Sequence, residues 1–183
     1  VIFFLILSLF LLPLIFLADY YDFEITFWHQ VFLILAVSIL CQVIRRRPVQ
    51  ELIGAIGTGW FRELFIGLMI GASLMILPAL LLMLIGAIQW QVNELSFTAF
   101  ASGISILVGA VIAEELLFRG FIFQRLIDAF GEWPAQLIIA GLFLLTHLNN
   151  PGMIGIIKTL ASINIFIASI LFGIAYIKTK NLG

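Results

Sequence analysis

Long apolar stretches separated by short polar segments make up almost the whole chain. A helix needs about 20 predominantly apolar residues to cross a bilayer. By that measure the pattern predicts six transmembrane helices, at residues 1–17, 27–44, 64–88, 97 to about 126, 134 to about 147, and about 156–177. No soluble domain or internal repeat interrupts them. We therefore expect residues 1–183 to form one all-α, polytopic transmembrane helical bundle.

Composition agrees with a membrane protein and removes several other classes. The chain is 63% hydrophobic and 10% charged, with a mean hydropathy of +1.23. A single cysteine, Cys41, forbids an internal disulfide. The net charge of −1, without a basic stripe, gives no reason to expect nucleic acid as a partner. The expected surroundings are the lipid bilayer.

Basic residues predict the orientation of the bundle, because Lys and Arg concentrate in cytoplasmic connections. The connections after the second, fourth and sixth spans carry most of them, and the opposite connections are acidic except for Lys158. The basic set is Arg45, Arg46, Arg47, Arg62, Arg125, Lys178 and Lys180, and the acidic set is Asp19, Asp22, Glu24 and Glu94. This predicts a cell-membrane protein with a cytoplasmic N-terminus. The segment 50–60 is short and glycine-rich, so we expect it at the inner interface or dipping partway into the membrane.

Three charges lie inside the apolar stretch 97–123: Glu114, Glu115 and Arg119. A charged side chain at the bilayer centre costs roughly 2.5–3.5 kcal/mol on insertion scales, so such residues are functional candidates. Glu115 and Arg119 are spaced i,i+4 with the acid first, the favourable order for a helical ion pair. That pair can also be purely structural. Glu114 is turned by about 100° from Glu115 and has no cation on its own helix.

His147 is the expected partner of Glu114. Gly131 suits the residue after a helix end, and Pro134 suits a first helical position, so the fourth and fifth spans form a hairpin. Glu114 lies 17 residues before Gly131 and His147 lies 16 residues after it. At about 1.5 Å per residue, both are roughly 25 Å from the turn. An antiparallel hairpin would therefore place the carboxylate beside the imidazole, although a lone buried histidine can also simply bridge helices.

Other residues near this depth are candidates to line a cavity. Asn150 belongs to a turn directly after His147, and Phe118 and Phe143 flank the charged positions. Asn164 in the sixth span is expected to form an interhelical hydrogen bond. Two histidines and no H-E-x-x-H motif argue against a metal site, and we expect no cofactor.

Two motifs, E-E-x-x-x-R at Glu114–Arg119 and F-x-x-x-H at Phe143–His147, resemble the signatures of the CPBP (or ABI) intramembrane protease family. That family includes glutamic-type CAAX prenyl endopeptidases and bacteriocin-processing or immunity proteins. The resemblance covers residues 112–183, and the catalytic core is expected at about 97–183. It implies a metal-free endopeptidase in which Glu114 activates water with help from His147, while Glu115 and Arg119 orient the site. The implied substrate is a membrane-associated peptide, either CAAX-like or a bacteriocin or leader peptide.

The family pattern continues into a further span with a second His and an Asn four residues later, which are thought to serve the oxyanion. Because the chain stops at Gly183, we expect it to be truncated at both ends and to lack that span. A member that has lost catalysis is the alternative. Two other function classes stay open, a non-catalytic immunity or binding protein of the same fold and an ion-coupled transporter. The sequence gives no indication of oligomeric state.

Overall fold

The structure, a computed structural model, describes residues 2–91 and 96–182. It contains seven α-helices in these ranges and no strand. The helices are α1 (Ile2–Tyr21), α2 (Phe27–Ile44), α3 (Thr58–Leu84), α4 (Phe97–Glu115), α5 (Phe123–Phe130), α6 (Glu132–His147) and α7 (Gly155–Thr179). A 3₁₀ turn covers Val49–Leu52. A π-helical segment, Leu116–Ile122, joins α4 to α5 into one run from residue 97 to 130.

A helix lies within each of the six predicted spans, and the chain is an all-α membrane bundle. By length and composition, α1, α2, α3 and α7 can each cross a bilayer. Glu94, one of the acidic residues used to predict orientation, lies outside the described residues.

Several predicted boundaries move. Helix α3 begins at Thr58 rather than 64 and ends at Leu84 rather than 88, so the last three residues of the glycine-rich segment 50–60 belong to it. The fourth span continues to Phe130 because the π-helical segment extends the run instead of ending it. Gly131 directly follows the last residue of α5, as predicted, and has a positive φ of +82°. Pro134 is the third helical residue of α6 instead of the first, where its missing N–H still costs no intrahelical hydrogen bond.

Packing follows the order of the chain except at α3. Helix α1 packs on α2, α2 on α4, and α5, α6 and α7 form a second group of neighbours. Trp28 Nε1 donates a hydrogen bond to Ser105 Oγ at 3.0 Å and so joins α2 to α4. Helix α3 has no buried residue. The core around the predicted site is therefore built by α2, the run 97–130, α6 and α7.

The segment before α3 packs against the π-helical segment. Leu52 is buried, and a Cβ added to Gly120 would lie 3.2 Å from the Leu52 carbonyl oxygen. Gln124 Nε2 donates to the carbonyl oxygens of Glu51, at 2.5 Å, and Gly120, at 2.7 Å. Residues 49–52 thus pack directly against the helix that carries the charged motif.

Candidate active site

Glu114 and His147 lie side by side across the hairpin. Their nearly equal separations in sequence from Gly131 predict this contact. Glu114 Oε1 lies 3.6 Å from His147 Nε2. Glu114 is the penultimate residue of α4 and His147 is the last residue of α6, so two antiparallel helices supply the pair. The side chains are 41% and 19% exposed, respectively, and can therefore be reached from outside the protein. Because 3.6 Å exceeds a direct hydrogen bond, the gap suits a bridging water.

The imidazole of His147 is held from its other side. Its Nδ1 lies 2.7 Å from the Phe143 carbonyl oxygen, one helical turn earlier, and 3.1 Å from Thr146 Oγ1. Since a carbonyl oxygen can only accept, Nδ1 carries the proton in the neutral ring. Nε2 then presents a lone pair toward Glu114.

Arg119 is enclosed on all sides. Its side chain is 1% exposed, and Nη1 donates to Glu115 Oε1 at 2.5 Å, which confirms the predicted i,i+4 pair. Nη2 donates to Ser169 Oγ on α7 at 3.3 Å. The guanidinium carbon lies 5.3 Å from the ring centre of Phe143 and 5.1 Å from that of Phe172, within cation–π range. The Arg119 guanidinium therefore joins the run 97–130, which carries the E-E-x-x-x-R motif, to α6 and α7.

A buried glutamine extends this connection and was not singled out from the sequence. Gln136 on α6 is 1% exposed and donates through Nε2 to the Ser169 carbonyl oxygen at 3.2 Å. Its Oε1 has no partner among the described residues, and a Cβ added to Gly173 would overlap it. Two features of the sequence could have identified this contact. One is a glutamine inside an apolar span, and the other is the small-x-x-x-small spacing from Ser169 to Gly173, which is typical of closely packed helices.

The two candidate phenylalanines form the base of the site. Phe118 and Phe143 are both buried and pack edge to face, with ring centres 5.2 Å apart. The Phe143 ring also contacts His147, with centres 4.4 Å apart. They belong to the same core cluster and fill space beneath the polar pair.

Neither candidate asparagine joins the site. Asn150 is exposed in the turn after α6, where its backbone N–H donates to the His147 carbonyl oxygen at 3.1 Å. Asn164 is exposed on α7, and the interhelical hydrogen bond expected of it is not formed with any described residue. The reason is rotation, because five residues separate Asn164 from Ser169, which places it about 140° around the helix from the face that contacts α6.

Within residues 2–91 and 96–182, no group of three or more His, Cys, Asp or Glu side chains is close enough to hold a metal ion. The polar atoms at the site are instead one carboxylate, one imidazole and an enclosed ion pair. This set can take up a proton from water and return it, which is general acid–base chemistry.

Comparison with known families and proteins agrees with the motifs. Residues 76–183 match the family described as type II CAAX prenyl endopeptidase Rce1-like. The matched range contains Glu114, Glu115, Arg119 and His147. No curated protein and no solved structure shows a significant match to the chain.

Proposed function

The chain belongs to the type II CAAX prenyl endopeptidase Rce1-like family of intramembrane proteases, and on that premise we propose that Glu114 and His147 together activate the water that cleaves a peptide bond. The observation that carries this proposal is the 3.6 Å separation of Glu114 Oε1 from His147 Nε2 at an accessible position. Both atoms are hydrogen-bond acceptors when the carboxylate is ionised and the ring is neutral.

Two acceptors at this spacing can each take a hydrogen bond from the same water molecule. Its lone pair is then directed away from both, toward a carbonyl carbon. As the oxygen attacks, one O–H bond breaks and the proton moves to Glu114. The C–N bond breaks next, and the same proton leaves on the amine. Glu114 is thus first base and then acid, a function that typically contributes 10²–10⁴-fold to rate.

Arg119 has a different function in this proposal. Its Nη1 and Nη2 donate to Glu115 and Ser169, and its plane lies between two aromatic rings. Arg119 Nε makes no hydrogen bond with a described residue, and the guanidinium forms no ion pair or hydrogen bond with Glu114 or His147. We therefore assign Arg119 to positioning the helix rather than to stabilising a reacting oxygen. Glu115 balances its charge, so both are positioning residues.

The substrate class that the family name suggests is a prenylated peptide ending in a CAAX-type sequence, and a leader-type membrane peptide is the other substrate we would test. A membrane-embedded enzyme can receive either one by lateral diffusion. We further propose that the protein lies in the cell membrane with its Arg- and Lys-rich end on the cytoplasmic side, because basic connections stay on that side.

Cleavage of a farnesylated peptide by the purified full-length protein tests the catalytic assignment. We expect Glu114→Gln to lower kcat by at least 100-fold, since the amide cannot accept the proton. Glu24→Gln is the matched control, because Glu24 is exposed and far from the motif in sequence, and it should cleave at the wild-type rate.

Thermal unfolding of each variant separates chemistry from folding. Glu114→Gln should unfold at the wild-type temperature, because Glu114 is partly exposed and pairs only with His147 among the described residues. Cleavage by a folded Glu114→Gln protein at the wild-type rate would show that the assignment is wrong. If cells expressing a variant without both Glu114 and His147 stayed protected against a bacteriocin, that result would instead favour a binding or immunity protein.

A further inference from the structure

A polar cavity lies at the Arg- and Lys-rich end, away from the Glu114–His147 pair. It has a volume of about 190 Å³ and is enclosed by the 47–51 segment, α5 and the end of α7. Its walls are formed by Arg47, Glu51, Gln124, Arg125, Ile127, Asp128, Tyr176 and Lys180. Arg125 lies 11 residues beyond Glu114 on the same helical run, roughly 15 Å along its axis. Nothing in the proposed cleavage chemistry uses this cavity.

The carboxylates in its walls are already paired with arginines. Glu51 lies 3.7 Å from Arg125 and 3.8 Å from Arg47. Asp128 lies 3.2 Å from Arg125 and 3.9 Å from Arg45, which is outside the cavity wall. The walls themselves contain three cationic and two anionic side chains. Lys180, the third cation of the wall, lies 3.8 Å from Glu132. When Arg45 and Glu132 are counted with the wall residues, four cations face three carboxylates, and the net charge of +1 attracts an anion.

Hydrogen-bond donors in the wall also lack acceptors. Arg125 Nε and Nη1 are buried and make no hydrogen bond with a described residue. The Nη1 contact with Asp128 is an ion pair whose geometry does not make a hydrogen bond. Tyr176 is 6% exposed, and within the described ranges its hydroxyl has no hydrogen-bond partner. Buried donors are normally satisfied, so the two Arg125 nitrogens point to an acceptor that occupies the cavity, and Tyr176 lines the same wall.

The position of the cavity indicates where that acceptor comes from. Seven of the nine Lys and Arg residues of the chain lie at this end. Four carboxylates accompany them, those of Glu51, Glu63, Asp128 and Glu132. Trp60 and Trp133, which prefer the membrane interface, lie at the same end and indicate headgroup depth. Basic pockets between helices at this depth are typical binding sites for anionic lipid headgroups.

We propose that this cavity binds the phosphate group of an anionic phospholipid. Arg47 and Arg125 supply the charge, and the Tyr176 hydroxyl and the Arg125 nitrogens that make no hydrogen bond in the protein donate to the phosphate oxygens. The volume far exceeds the roughly 30 Å³ that one water molecule occupies in the liquid, so a phosphate fits together with water. The lipid joins the 47–51 segment, α5 and α7 at one point.

Lipid-dependent thermal stability of the purified full-length protein tests this site. Phosphatidylglycerol is titrated in detergent, with phosphatidylcholine and inorganic phosphate as parallel arms. We expect phosphatidylglycerol to raise the Tm saturably and phosphatidylcholine to leave it unchanged. Arg125→Gln should weaken the apparent affinity for phosphatidylglycerol at least tenfold. Tyr176→Phe, which keeps the ring and the charge, should weaken it several-fold.

Arg62→Gln is the matched control. It removes the same charge at the same end, but Arg62 is exposed on α3 and forms no ion pair with a described residue. We expect its affinity to stay within twofold of wild type. Equal losses in Arg125→Gln and Arg62→Gln would show diffuse surface attraction and overturn the proposal.

Two further outcomes are decisive. If Arg125→Gln does not fold, wild-type lipid affinity in Tyr176→Phe overturns the site, and weakened affinity supports it. A saturable shift with inorganic phosphate but none with phosphatidylglycerol would support a phosphate site and overturn its assignment to lipid.

Discussion

Glu114 and Glu115 are neighbours in sequence with different surroundings. Glu115 pairs with Arg119 at 2.5 Å, whereas Glu114 faces His147 across the hairpin at 3.6 Å. The difference follows from helix geometry, because adjacent residues point about 100° apart. One carboxylate can therefore neutralise the buried arginine while the other stays available for chemistry.

Removing the charge of Glu115 should destabilise the fold. Glu115→Gln leaves the Arg119 guanidinium, 1% exposed, without its counter-ion, and breaking one side of a buried pair costs about 3–5 kcal/mol. We expect a loss of that size in the free energy of unfolding, measured by denaturant titration in detergent. The combined Glu115→Gln and Arg119→Met variant should recover part of it. Unchanged stability in Glu115→Gln would show that the pair does not hold the helix.

The two histidines should be opposite tautomers. His147 Nδ1 lies 2.7 Å from a carbonyl oxygen and must carry the proton in the neutral ring, whereas His29 Nδ1 accepts from the Thr26 backbone N–H at 3.0 Å. Nitrogen-15 NMR of labelled histidine should therefore show one Nδ1–H ring and one Nε2–H ring. Loss of the Nε2–H signal in His29→Gln assigns them. An Nε2–H ring at His147 would contradict the proposed acceptor toward water.

At the scale of helices, two contacts shape the site. The π-helical segment Leu116–Ile122 carries Arg119, and short π segments inside α-helices are frequent at functional sites. Helices α6 and α7 approach closely where Gln136 lies against Gly173. Together they bring Ser169 within 3.3 Å of Arg119. The geometry of the E-E-x-x-x-R motif thus depends on α7, a helix that supplies none of the charged residues of the motif.

A methyl group at Gly173 should separate α6 from α7. Gly173→Ala places its Cβ on Gln136 Oε1, and overpacking of this kind costs about 1–3 kcal/mol in free energy of unfolding. Gly141→Ala in α6 is the control, because nothing lies within 4 Å of its added Cβ and alanine favours helix there. The measurement is thermal unfolding.

Shortening the partner side chain should relieve that clash. Gln136→Ala combined with Gly173→Ala should be less destabilised than the sum of the two single variants. Strict additivity would mean that the two residues do not contact each other.

At the scale of the whole molecule, charge sidedness predicts topology. Basic residues from three separate connections meet at one end. The 3.9 Å pair of Arg45 with Asp128, the 3.7 Å pair of Arg125 with Glu51 and the 3.8 Å pair of Lys180 with Glu132 illustrate this. This convergence is what the alternation of basic and acidic connections predicts for a bundle of six passes. The side of the membrane that each end faces stays a prediction.

Cysteine labelling in intact cells tests that orientation. In a Cys41→Ala background, Glu24→Cys should react with an impermeant maleimide from outside, because its connection is predicted to be external. Arg46→Cys should react only after the membrane is permeabilised. The opposite pattern would reverse the topology.

Much of the site was predictable because depth in a membrane is a one-dimensional quantity. Counting residues from Gly131 predicts that Glu114 and His147 are at one level, and an i,i+4 spacing predicts the Glu115–Arg119 pair. Counting cannot predict how far each helix is rotated about its axis. For that reason counting could not show that Asn164 forms no interhelical hydrogen bond with a described residue, nor that Gln136 is buried between α6 and α7.

The sequence by itself predicted six passes and determined the end at which the basic residues gather and the residues that carry the motif, because a bilayer excludes charge and sets the length of each span. Only the tertiary structure decided what encloses Arg119, which face α7 turns toward α6, where the run 97–130 widens into a π-helical turn, and that a polar cavity forms beside Arg125. Each of these depends on how closely two helices approach and how they are rotated, and these quantities emerge only when side chains from distant parts of the chain pack together.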